Sequence, residues 1–121
     1  MLFRSPGVKV ELIVRDDGGP NPDNGKRLTQ ELIVRDKINF LTGYIWTPNT
    51  AASAPLLTES KTPLVIMNAA ASVLTTMSPY IVRASLTLWQ SGYEIGKWAS
   101  TKYKRAYTMV TDFVQIGRAH V

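Results

Sequence analysis

The chain has 121 residues, 45% of them hydrophobic and 19% charged, with a formal net charge of +5. This is the composition of an ordinary folded domain, which excludes a disordered or fibrous chain, and no apolar run reaches the roughly 18 to 20 residues that span a bilayer as a helix. There is no cysteine, and the single histidine, His120, stands next to the last residue, so disulfides, most zinc sites and an imidazole base within the body of the chain are excluded.

In chain order, the first segment reads as foreign. The codons CTC TTC CGA TCT spell Leu2-Phe3-Arg4-Ser5, and the reverse complement of those bases spells Gln115-Ile116-Gly117-Arg118 and begins Ala119. One sequencing adaptor read in two directions produces that relation, so residues 1–5 and 115–121 are expected to be adaptor-derived tails and are set aside from fold reasoning. Arg4 and Arg118 go with them, which lowers the net charge by two, to +3. The remaining cations are mixed with carboxylates and form no stripe with aromatics, so a solvated surface is expected and no nucleic-acid partner.

Val8, Val10, Leu12 and Val14 alternate with Lys9, Glu11, Ile13 and Arg15, the period of a strand, and Asp16-Asp17-Gly18-Gly19-Pro20 ends it with turn formers. Asn21-Pro22-Asp23 then supplies a cap, a first-turn proline and an early carboxylate, and the spacing of Leu28, Leu32 and Ile33 predicts a helix from about Pro22 to Lys37. The hexapeptide ELIVRD occurs in both elements, but its flanks do not repeat, so it is read as coincidence. Ile38 to Gly43 predicts a short buried strand, Tyr44 to Thr47 a loop, and Pro48 to about Ser60 a helix. Pro63 to Met67 is wholly apolar and short, as in a central parallel strand covered on both faces. Asn68 to Ser72 is a loop of small residues, Val73 to Pro79 irregular, Tyr80 to Arg83 a strand, Thr87 to about Thr101 a helix, and Ala106 to Val110 a last strand. Alternation of short strands with helices predicts an α/β fold built on a doubly wound parallel sheet.

In such sheets ligands bind beyond the carboxyl ends of strands. Three loops lie there. Asp16-Asp17 invites a magnesium or phosphoacceptor reading, but the later strand ends at Met67-Asn68 and Val110-Thr111 lack the further Asp and Lys that chemistry needs, so turn formation and capping are the better account. No GxGxxG, P-loop or GxSxG pattern is present, and an enzyme is not expected. Tyr44 to Thr47 places an aromatic, Trp46, and a hydroxyl, Thr47, beside the free amides of a helix start, which suits a small carboxylate; packing of Trp46 in the core is the competing account. In Asn68 to Ser72 the side chains of Ala69, Ala70 and Ala71 are small enough for backbone to approach a ligand, and Ser72 adds a hydroxyl; a plain tight connection is the alternative.

The segments KVELIVRDDGGPNPDNGKRLTQELIVRDKINFLTG, WTPN, TPLVIMNAAAS and SPYIVRAS, in this order from Pro6 to Phe113, resemble the type I periplasmic solute-binding proteins of the branched-chain amino acid ABC-transporter class. The resemblance implies two α/β lobes clamping a solute, with residues 6–84 part of the first lobe and residues 85–114 the interlobe crossing and start of the second. It implies an extracytoplasmic protein that captures an amino acid or related small carboxylic acid for membrane permease subunits, without a cofactor or metal. Trp46, Thr47 and Ala69, Ala70, Ala71 and Ser72 match its first-lobe contacts. Members often carry Thr where this chain has Ala71, which opens aromatic and other carboxylic acids as ligands. The resemblance further implies that a family strand belongs between the first and second strands of this chain, and that residues 6–114 alone fold poorly. A ligand-sensing effector domain of the same fold, in a receptor or transcription regulator, is the other function it allows.

Overall fold

The computed structural model describes residues 7, 9–107 and 109. Helix α1 runs Pro22–Val34 and begins where the sequence puts it: the Asn21 side chain accepts from the Asn24 amide at 3.1 Å, with Pro22 and Asp23 in the first turn. It ends three residues short of the predicted Lys37. The amides of Arg35 and Asp36 both return to the Glu31 carbonyl, at 2.9 and 3.2 Å, and Lys37 takes a positive φ of 49° that no right-handed helix continues through. The residues α1 buries are Gly25, Thr29 and Leu32, one stripe at helical spacing.

Strand β1 (Leu41–Gly43), helix α2 (Thr47–Ser60), strand β2 (Leu64–Ile66), a 3-10 helix (Ser72–Thr76), strand β3 (Ile81–Arg83) and helix α3 (Leu88–Ser100) follow. The three strands form a parallel sheet in the order β1-β2-β3, with Leu41 beside Leu64 and Leu64 beside Ile81. Leu41, Leu64, Ile66 and Ile81 meet Leu57 and Ala54 of α2, Leu32 of α1, and Ala69 and Leu74 in the core. The stretch expected to be irregular therefore contains a 3-10 helix, and it does so because Leu74 is drawn fully into that core.

α1 and α2 approach so closely at Gly25 that a Cβ there would lie 2.9 Å from Cβ of Asn49. Asn49 sits fully buried at that crossing and donates to Asp17 Oδ2 at 2.6 Å and to the Gly19 carbonyl at 2.9 Å. Asp16 and Asp17 accept from the amides of Gly18 and Gly19 at 2.9 and 3.1 Å, so the pair builds a turn, as expected; the helix cap itself is Asn21. A second polar cluster lies one turn on: Thr29 Oγ1 is hydrogen-bonded with the Tyr44 hydroxyl and lies 2.9 Å from Ser53 Oγ.

Three expectations are corrected. Residues 9–15 are extended but are not in a strand, because none of the described residues pairs with them. A cavity of about 1070 Å³ separates this segment from β1, and Arg15 bridges to Asp36 at 2.8 Å at its far end. The sheet is covered on one face only: Val65 is half-buried and Val82 is 55% exposed, so the apolar run around β2 does not report two covered faces among the described residues. Of the last predicted strand, Ala106, Tyr107 and Met109 are not in a strand, while Thr108 and Val110 lie outside the described residues. α3, by contrast, matches its prediction, with Thr87 and Gln90 forming a reciprocal capping box.

Candidate functional site

Parallel pairing brings the carboxyl ends of β1, β2 and β3 to one edge of the sheet, and hydrogen bonding carries that pairing on into the loops. The amide of Met67 donates to the Gly43 carbonyl at 2.8 Å, that of Ala69 to the Tyr44 carbonyl at 2.9 Å, and that of Ala71 to Thr47 Oγ1 at 3.4 Å. Residues 67, 69 and 71 therefore direct their amides to residues 43–47. The two predicted half-sites, Trp46-Thr47 and Ala69 to Ser72, are thus brought together.

The carbonyls of the second loop are occupied from the other side. The Arg83 guanidinium donates to the carbonyl of Ala69 through Nη1 and to that of Ala71 at 2.6 Å through Nη2, and the Leu88 amide donates to the Ala70 carbonyl at 3.2 Å. Three consecutive carbonyls are each engaged. The amides of Ala70 and Ser72 have no protein acceptor among the described residues, and Ala70 is half-buried while Ser72 is exposed. What this loop offers a ligand is hydrogen-bond donors.

Thr47 adds to the same character. It is 2% exposed at the first position of α2, and its hydroxyl accepts from Ala71, which leaves the hydroxyl proton free to be donated. The α2 start has no side-chain cap, whereas α1 is capped by Asn21 and α3 by Thr87; Pro48 has no amide proton, so the first-turn donors left without a side-chain cap are the amides of Thr47 and Asn49. Trp46 immediately precedes it, half-buried, with its carbonyl accepting from the Thr50 amide at 3.2 Å and the Thr50 hydroxyl at 3.0 Å. Donors at a helix start and a positive guanidinium behind the loop favour an anion. Burial pulls the Arg83 pKa down from its ordinary value, yet a guanidinium keeps its charge at any physiological pH.

Two residues essential to this geometry escape sequence reasoning. Arg83 sits at a strand end and carries no motif; its signal is only a lone cation at the sheet edge where ligands collect. Tyr44 adopts a positive φ of 57°, and its hydroxyl is buried against Thr29 and Ser53, so its carbonyl is fixed where Ala69 can reach it. Burial raises the Tyr44 pKa above the usual phenol value; the hydrogen bonds with Ser53 and Thr29 oppose that rise and the Asp17 charge adds to it.

A family model described as periplasmic binding protein matches residues 4–120. The chain belongs to the periplasmic binding protein family. This is a family of binding proteins and not of enzymes, and its parallel α/β architecture is the one the three strands and their helices display. Among curated relatives, a Leu/Ile/Val-binding protein homolog 6 from Brucella abortus is 39% identical over 105 residues, covering 86% of this chain and 27% of that protein. Two solved solute-binding proteins of ABC transporters, both from Rhodopseudomonas palustris, are still more similar. The one from strain BisB5, in complex with 3,4-dihydroxybenzoic acid, is 52% identical with a TM-score of 0.74, over 77% of this chain and 25% of that one. The one from strain HaA2, in complex with p-hydroxybenzoic acid, is 50% identical with a TM-score of 0.72, over 74% and 24%. This periplasmic binding protein chain thus spans about a quarter of the length of the proteins it matches.

Proposed function

We propose that this chain is part of the extracytoplasmic solute-binding component of an ABC transporter, and that it holds the carboxylate of a small aromatic acid for delivery to membrane permease subunits. The observation that carries the reading is the donor-only half-site. The Ala69, Ala70 and Ala71 carbonyls are all bonded, while the Ala70 and Ser72 amides, the Thr47 hydroxyl proton and the α2 first turn remain open. A carboxylate needs only donors. An α-amino acid brings an ammonium group as well, and the loop carbonyls that could accept from it each already accept a bond from Arg83 or Leu88.

The similarity of about half the aligned residues to two proteins bound to hydroxybenzoates supports the aromatic acid over the branched-chain amino acid suggested by the Brucella relative's name. So does Ala71, whose methyl group adds no polar atom next to the Thr47 hydroxyl. Residues 6–84 are read as part of the first lobe and 85–114 as the crossing and start of the second; α3, which buries none of its residues, fits a helix whose packing partner lies in another lobe.

The test is a thermal-shift panel on the full-length protein against hydroxybenzoates, benzoate and the branched-chain amino acids. A true ligand at 100 times its Kd stabilises the folded state by about 2.7 kcal/mol. Stabilisation by 4-hydroxybenzoate and not by leucine supports the reading; the reverse order, or no response to any small acid, overturns it.

A further inference from the structure

The side chains of Ala69, Ala70 and Ala71 carry no polar group, and the loop is not part of a helix or strand, so its conformation depends on hydrogen bonds from its neighbours to its backbone. We propose that Arg83 is the positioning residue of this loop: its guanidinium, bonded at once to the carbonyls of Ala69 and Ala71, locks the loop in the conformation that turns the Ala70 and Ser72 amides toward the solute. The inference rests on the reading of these amides as ligand donors. Two facts separate it from an ordinary surface arginine. None of the ion pairs among the described residues involves Arg83, so its donors are directed to backbone carbonyls, with the Ser85 hydroxyl at 3.5 Å beside them. The two carbonyls lie two residues apart on one strand-like segment, a spacing that the planar fork of a guanidinium spans and a single ammonium does not.

Arg83 ends β3, and Leu88, which begins α3, takes the Ala70 carbonyl between the two that Arg83 holds. The ligand loop is therefore stapled over three consecutive carbonyls to the two ends of the six-residue stretch from Arg83 to Leu88 that leads from β3 into α3. Without Arg83 the Ala69 and Ala71 carbonyls lose these bonds and the loop is looser before binding, and each residue re-ordered on binding weakens affinity by about tenfold.

The experiment uses the full-length protein as wild type, Arg83→Lys and Arg83→Ala. Amide hydrogen exchange is measured on the segment 67–73 without ligand, together with calorimetric titration of 4-hydroxybenzoate. The expected result for both variants is faster exchange confined to 67–73, with α1 and α2 unchanged, and an affinity at least about tenfold weaker. Free guanidinium at a non-denaturing concentration then slows exchange in Arg83→Ala and restores part of the affinity. Unchanged exchange at 67–73 in a folded variant overturns the proposal, as does a rise spread evenly through the domain with no guanidinium rescue. Should Arg83→Ala not fold, Arg83→Lys decides alone. If wild type binds no small acid, the transport reading fails, while the exchange arm still decides whether Arg83 positions the loop.

Discussion

Replacing Thr47 by valine removes one hydroxyl from the buried start of α2 and leaves the side chain's shape almost intact. The loss to folding is small, because the bond it accepts from the Ala71 amide is long, at 3.4 Å, and contributes at the weak end of the usual range, about 0.5 kcal/mol. The loss to binding is larger. A hydrogen bond to a charged group is worth about 1.5 to 3 kcal/mol, so the Kd for 4-hydroxybenzoate rises by roughly tenfold to a hundredfold. Thr47→Ser keeps the hydroxyl and stays near the wild-type Kd. Titration calorimetry at 25 °C gives the binding difference, and thermal unfolding without ligand shows that the variant is folded. Wild-type affinity in a folded Thr47→Val protein would refute the assignment of this hydroxyl to the carboxylate.

Gly25→Ala gains about 0.5 to 1 kcal/mol of helix propensity but places a Cβ 2.9 Å from Asn49 Cβ, an overpacking that costs about 1 to 3 kcal/mol; urea unfolding of the full-length protein is expected to show a net loss, and a net gain contradicts the close crossing. Because burial raises the Tyr44 pKa in the folded state, its contribution to stability is complete below the unfolded phenol value of about 10 and disappears as pH rises through the higher folded value. Stability measured across that alkaline window is expected to fall more steeply in wild type than in Tyr44→Phe, and equal slopes would contradict it. Residues 6–114 expressed alone are expected to melt without a cooperative transition, since a cavity of about 1070 Å³ separates residues 9–15 from β1; a sharp calorimetric peak would show otherwise.

Helices were the most legible part of the fold, because their boundaries are written in local chemistry. Asn21-Pro22-Asp23 marks a helix start in any context and matched the structure, and the helix expected from Thr87 begins there on a Thr87–Gln90 capping box. Strands were less legible, because a strand exists only by pairing. Val10, Leu12 and Val14 have strand periodicity and an extended backbone, yet no described partner, and the all-apolar run around β2 could not show that only one of its faces is covered. The loops of the candidate site were found by the rule that ligands collect at strand ends, and Thr47 and Ala71 do meet. What the sequence could not show is how the loop is held: three consecutive carbonyls are engaged by Arg83 and Leu88, twelve to eighteen residues further along, and the Ala69 amide is held through the left-handed turn at Tyr44.

The most direct test of the carboxylate site is a crystal structure of the full-length protein soaked or grown with 4-hydroxybenzoate. The account predicts the carboxylate oxygens within about 3.2 Å of Thr47 Oγ1 and of the Ala70 or Ser72 amide, with Arg83 still bound to the Ala69 and Ala71 carbonyls. A carboxylate held only by residues outside 44–47 and 68–72 would contradict it.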